Sequence, residues 1–229
     1  MHKLEHIADQ IRSDFDVRTV ARDKALAQAR QLTRSCSLAI RAVHRGESET
    51  MDSQLAEANQ LADTLAKDLR DHPDLFFARY TQDALKEFAE ARVTCALIRN
   101  QPLPNPEELG VVHATYLNGL AEVIGELRRR ILDILRHGYS EEAENLLGFM
   151  DDIYSILVTM DYPDAITNGL RRQTDIARSI IEKTRGDVTF SLRGEHLEQA
   201  IGRLSDQLVG AQAERAKGED RPRHKEDRT

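Results

Sequence analysis

The sequence predicts an all-α fold: an elongated bundle of about seven helices with a very long N-terminal helix. Three observations carry that reading. Ala, Leu, Arg and Glu dominate the chain, while aromatic residues make up only 5% and Trp is absent, a composition of long helices with charged outer faces. From Lys3 to Arg45 there is neither proline nor glycine, enough for one helix of roughly 60 Å at 1.5 Å per residue. No stretch shows the apolar–polar alternation of a strand. At 229 residues and 40% hydrophobic, the chain suits one domain over residues 1–213, followed by a charged, disordered tail over residues 214–229.

The elements follow in order. In the first helix Leu32, Cys36, Ala39 and Val43 recur at helical spacing, and Arg30, Arg34, Arg41 and Arg45 fall on a nearly opposite face. Gly46 suits the end of that helix. A second helix, about Thr50 to Asp71, carries Met51, Leu55, Ala58, Leu61, Ala62, Leu65 and Leu69. His72-Pro73 breaks it and opens a third, expected to run unbroken to Ile98. The proline-rich stretch Asn100 to Pro106 is a loop. The fourth helix begins at Glu107 or Val111 and reaches Arg136, with Gly138 beyond its end. Ser140 caps a fifth, running to about Met160. Asp161-Tyr-Pro-Asp164 turns into a sixth that is expected to stop near Gly186, and a seventh then covers about Val188 or Glu195 to Ala213.

Composition narrows the function. A net charge of −7 argues against a uniformly basic nucleic-acid binder and leaves room for a local basic face. No apolar run is long enough to span a membrane, and the N-terminus lacks the apolar core of a signal peptide. Cys36 and Cys95 sit singly in helical, apolar surroundings with no metal-ligand spacing, so both read as buried free thiols in an intracellular, cytoplasmic protein.

Two acidic pairs remain. Glu87 and Glu90 are three residues apart on the third helix, and Glu122 and Glu126 four apart on the fourth, so each pair shares a helix face. Arg128, Arg129 and Arg130 follow at once. Carboxylates are the ligands a hard divalent ion requires, and guanidinium groups grip phosphate. With 39 acidic residues in the chain, such pairs also arise on ordinary solvated faces.

Several segments together resemble the translin/Trax family, in its archaeal Trax-like form. They are Lys86-Glu-Phe-Ala-Glu-Ala91, Tyr116-Leu-x-Gly-Leu-Ala-Glu-x-x-Gly-Glu-Leu-x-Arg129, Phe149-Met-x-x-Ile-Tyr154, and Asp161-Tyr-Pro-Asp164 through Thr184-Arg-Gly-Asp187. The resemblance covers roughly residues 3 to 210. It implies a translin-like helical fold, a hollow homo-octamer, and binding of single-stranded RNA, with single-stranded DNA as a second ligand. In the Trax branch it further implies a Mg²⁺- or Mn²⁺-dependent endoribonuclease. Trax-type subunits carry Glu-x-x-Glu, matched here by Glu87 and Glu90, and Asp-x-x-x-Glu, matched by Glu122 and Glu126 with Glu in place of Asp at 122. On that reading Glu87, Glu90 and Glu126 ligate the metal, and Glu122 completes the site or orients the attacking water. Arg128, Arg129, Arg171, Arg172 and the stripe Arg30, Arg34, Arg41 and Arg45 are the candidate phosphate contacts. A closed shell would admit single strands and exclude stable duplexes. The alternative is a non-catalytic single-strand binder of the translin type. A ferritin-like di-iron site is excluded because no histidine here follows a glutamate by three residues.

Overall fold

The structure, a computed structural model, describes residues 2–219, with side chains described as far as residue 212. Among the described residues there are nine helices and no strand: α1 (His2–Arg45), α2 (Ser48–Asp68), α3 (Pro73–Phe76), α4 (Arg79–Ile98), α5 (Pro106–Leu109), α6 (His113–Leu135), α7 (Glu141–Thr159), α8 (Asp164–Thr167) and α9 (Leu170–Glu219). Three of these are single turns, so six long helices build the body.

The apolar stripes expected from periodicity are the ones that pack. Leu32, Cys36, Ala39 and Val43 of α1 are buried, facing α2 and α4. Gly46 ends α1 in the left-handed region at φ +72°, where glycine pays no Cβ penalty. Ser140 caps α7 by accepting from the Glu142 amide. Two large apolar clusters result, beside a small one of Ala39, Ala42, Val43, Met51 and Cys95. One joins α1, α2 and α4 through Leu32, Leu65, Leu85 and Phe88. The other joins α4, α6, α7 and α9 through Val93, Ile124, Leu127, Met150 and Leu170. α4 belongs to both, so its side chains are covered on several sides, and Glu90 among them is buried.

Two expectations are corrected. The third helix is interrupted at Phe77–Ala78, where Ala78 is extended (φ −62°, ψ 145°). The hydroxyl of Thr81 and the amide of Gln82 donate to the carbonyls of Leu75 and Phe76 at 2.8 Å each, giving those backbone groups partners outside a helix. Conversely, Gly186 does not end a helix, and α9 continues through it. An interior glycine costs only about 1 kcal/mol relative to alanine. Ile181, Thr184 and Val188 on either side are buried and hold the helix against its neighbours. α9 runs on to Glu219, and residues 220–229 of the expected tail lie outside the described residues.

Both long helices outrun the body. Burial on α1 starts only at Ala25, and Leu4, Ile7, Ile11, Phe15 and Val20 are exposed. On α9 Phe190, Leu197, Ile201, Leu204 and Leu208 are exposed as well.

Candidate metal centre

α4 and α6 cross closely because position 119 has no side chain. A Cβ on Gly119 would lie 2.9 Å from the Lys86 carbonyl oxygen and 3.1 Å from the Ala89 Cβ. One turn further along α6, Glu122 therefore comes to rest beside the acids of α4. Carboxylate oxygens of Glu87, Glu90 and Glu122 lie within 4.8 Å of one another. Glu90 is the innermost, 8% exposed. Burial, and then the charges of Glu87, Glu122 and Glu126, push its carboxyl up to about 8. Lys86 is drawn into the same group. Its ammonium donates to Glu122 Oε1 at 2.6 Å and lies 3.5 Å from Glu87 Oε1. Burial alone would lower the Lys86 pKa, but the bond to Glu122 and the charges of Glu122 and Glu87 outweigh it and hold the group cationic.

Glu126 stands apart. Its Oε2 accepts from His44 Nε2 at 2.6 Å and lies 3.6 Å from Arg129. The His44 bond, opposed by burial and aided by the His44 and Arg129 charges, holds the Glu126 carboxyl below the usual range. The four acids thus divide three to one, and the division differs from the sequence expectation: Glu122 joins the cluster, and Glu126 is tied to α1. The His44 side chain is 2% exposed, and its Nδ1 has no hydrogen-bond partner among the described residues. Beneath the cluster lies Cys36, whose thiol is raised by burial and then by Glu87 and Glu90. Cys95 is pushed up to about 12, mainly by burial. Both thiols are free and buried, as expected.

The donor set suits a hard divalent cation. It offers only carboxylate oxygen, with one member whose carboxyl is pushed up by burial and then by its like-charged neighbours, a strain that a bound cation relieves. The ion would compete with Lys86 for Glu122.

The arginines fall into distinct groups. Arg30, Arg34, Arg41 and Arg45 are exposed along α1, and Arg45 reaches Glu47 only at 3.9 Å. Arg171 and Arg172 are exposed at the start of α9, and Arg129 is half-exposed. Arg128 is committed inside the fold, donating to Thr184 Oγ1 at 2.9 Å and Asp187 Oδ2 at 2.8 Å on α9.

Sequence reasoning missed His44, Lys86 and the role of Gly119. His44 lies eight residues after Cys36, on the edge of the buried stripe of α1. A polar residue at that register was the one signal for it. Lys86 is adjacent to Glu87 and four residues before Glu90, the spacing of a helical ion pair.

No protein-family model matches the chain. AfC3PO, in its complex with duplex RNA, superposes with a TM-score of 0.76 at 30% identity, covering 81% of this chain and 96% of that one. This archaeal C3PO protein is of the translin/Trax type. The chain belongs to the translin/Trax family. AfC3PO without RNA gives the same picture at 29% identity and a TM-score of 0.75, covering 81% and 97%. Apo-NeC3PO shares the translin/Trax fold at 22% identity and a TM-score of 0.73, covering 80% and 96%. An uncharacterized protein of Methanocaldococcus jannaschii, MJ0175, is 32% identical over 207 residues, 89% of each chain. Among the described residues no helix is long and apolar enough to cross a membrane.

Proposed function

We propose that this protein binds RNA and cleaves it as a metal-dependent endoribonuclease, with Glu87, Glu90 and Glu122 holding Mg²⁺ or Mn²⁺. The observation that carries the reading is the convergence of three carboxylates from α4 and α6 within 4.8 Å, one of them buried. Bound there, a divalent ion supplies charge stabilisation on a phosphate and an acidified water. The chain's own groups do the rest. Lys86 keeps the carboxylate of Glu122 directed at α4. Glu126, held ionised by His44, is a candidate to orient water at the edge of the cluster. The exposed arginines of α1 and the start of α9 offer guanidinium groups to the phosphate backbone.

Assembly into a homo-oligomer, an octameric shell in the family's manner, is part of the same proposal. The free ends of α1 and α9 support it. Leu197, Ile201, Leu204 and Leu208 recur at four- and three-residue steps and are all exposed, which is the pattern of a helix seam awaiting a partner. The expected ligand is single-stranded RNA. Because the relative AfC3PO is known in complex with duplex RNA, the test includes both forms.

One observation favours the second reading, a non-catalytic binder. Lys86 already neutralises part of the acid cluster. The deciding experiment is cleavage of a short, unstructured RNA and of its duplex in Mg²⁺ or EDTA, with wild type beside Glu90→Ala. Metal-dependent cleavage that disappears in the variant is the expected result. RNA bound but intact in both proteins would leave a translin-like binder.

A further inference from the structure

Between the first turns of α4, the first turns of α6 and the α8–α9 turn lies a groove of about 560 Å³, the size of a small-molecule site. Four of its nine lining residues are side-chain amides, Asp83 and Thr115 join them, and the wall ends at Lys86, the residue that hydrogen-bonds Glu122 of the acid cluster. Several of these amides have capacity to spare. Asn118 is buried, and its Nδ2 donates at 2.8 Å to the carbonyls of both Ala114 and Thr167. That uses both donors and leaves the Oδ1 of this groove-lining residue without a hydrogen bond among the described residues. Gln82 accepts from Thr115 and donates to the Phe76 carbonyl, keeping one N–H. Asn168, held in the left-handed region at φ 54°, and Gln173 line the groove with no side-chain hydrogen bond among the described residues. At the rim Phe77 is 62% exposed although its ring packs edge-on with Phe76 at 5.2 Å. Arg79 stands beside it, almost fully exposed and only loosely paired with Asp83 at 3.5 Å.

We propose that this groove is a nucleobase subsite: it takes one unpaired base of an RNA strand whose backbone passes the acid cluster. Amides carry adjacent donors and acceptors that match the hydrogen-bonding edges of a base splayed out of its stack. Phe77 supplies a face for the base to stack on, and Arg79 supplies a cation for the adjoining phosphate. An apolar ligand seated there would cover the Asn118 acceptor and the two free amides without giving them partners, which is costly. The inference rests on the RNA reading and adds to it a preference for unpaired nucleotides and a place where that preference is read.

The test is equilibrium binding of short fluorescent strands to the full chain in EDTA, so that cleavage plays no part. Three ligands are compared: an unstructured RNA, an abasic strand of the same length, and a perfect duplex. Wild type should bind the base-bearing strand about tenfold more tightly than the abasic one, within what a single base stacked on an aromatic ring contributes. Phe77→Ala should remove that difference while leaving the abasic strand and the duplex bound as before. Gln173→Ala, also at a partly exposed position, should reduce it. Equal binding of base-bearing and abasic strands by wild type would overturn the subsite and leave RNA binding itself standing. An equal weakening on all three ligands in Phe77→Ala would overturn it as well. Failure of wild type to bind any of them would overturn the RNA reading, and the subsite with it.

Discussion

Gly119 presses its bare α-carbon against the main chain of Lys86: a Cβ there would stand 2.9 Å from the Lys86 oxygen and 3.3 Å from the Glu90 nitrogen. The obstacle is helix backbone, which cannot swing aside as a side chain can. This one contact sets how near Glu122 comes to Glu87 and Glu90. Gly119→Ala should therefore destabilise the protein by about 1–3 kcal/mol, as overpacking does, despite the roughly 1 kcal/mol that alanine gains in helix propensity. It should also weaken Mn²⁺ binding by forcing α4 and α6 apart. Urea denaturation and calorimetric titration with Mn²⁺ measure the two effects. A variant as stable as wild type with unchanged affinity would show that the close crossing is not required.

Glu90 makes stability depend on pH in an unusual direction. Its folded-state carboxyl titrates near 8, against 4.5 for the free group, so between those values the folded chain binds the extra proton. Unfolding releases it, and the protein loses stability as pH rises from about 4.5 towards 8. The melting temperature in EDTA should fall over this range. Glu90→Gln should flatten the fall and exceed wild type at pH 8, each kcal/mol appearing as about 2–4 °C in a chain of this size. Mn²⁺ affinity of wild type should rise over the same interval, because the ion displaces that proton. Parallel melting curves for the two proteins would contradict the assignment.

The His44–Glu126 contact has the opposite sign. His44 holds the Glu126 carboxyl below its ordinary range, so its contribution is present above the usual glutamate pKa and is lost as pH falls through the depressed value. His44→Ala leaves a partly buried carboxylate without its donor, at a cost of about 1–3 kcal/mol at neutral pH. His44→Gln, which can still donate, should recover part of it. Urea denaturation at pH 7 and at pH 3 separates the cases. The alanine variant should differ from wild type mainly at the higher pH.

Arg128 and the α1 stripe should separate cleanly by phenotype. Arg128 ties α6 to Thr184 and Asp187, so Arg128→Ala should lower the melting temperature and change the salt dependence of RNA binding little. Replacing exposed Arg30 and Arg34 by serine should leave melting unchanged. The same replacement should reduce the salt slope of RNA affinity by about one for each phosphate that an arginine no longer neutralises. Anisotropy titrations across a salt series read the slope directly.

Much of the helical layout is legible in the residues alone. The uninterrupted 44-residue α1 follows from the lack of proline and glycine, and the α1 core from the spacing of Leu32, Cys36, Ala39 and Val43. The breaks are harder. Gly186 reads as a stop and is not one, because packing of Ile181 and Val188 and the Arg128 clamp outweigh a weak local preference. Phe77–Ala78 reads as helix and is not, because Thr81 and Gln82 give the preceding carbonyls other partners. Local propensities of about 1 kcal/mol decide such points only where tertiary contacts are silent.

The acid site divides in the same way. Helical periodicity is enough to put Glu87 and Glu90 on one face of their helix and Glu122 and Glu126 on one face of theirs, since the repeat sets those directions within each helix. It likewise sets Arg30, Arg34, Arg41 and Arg45 opposite an apolar stripe. Which acids meet is a matter of packing. The meeting depends on the distance and rotation between α4 and α6, set by Gly119 against Lys86, and on the end of α1, which brings His44 to Glu126 across 82 positions of chain. The spacing of residues along one helix carries no information about where the next helix packs, and that placement sends Glu122 into the cluster and Glu126 out of it.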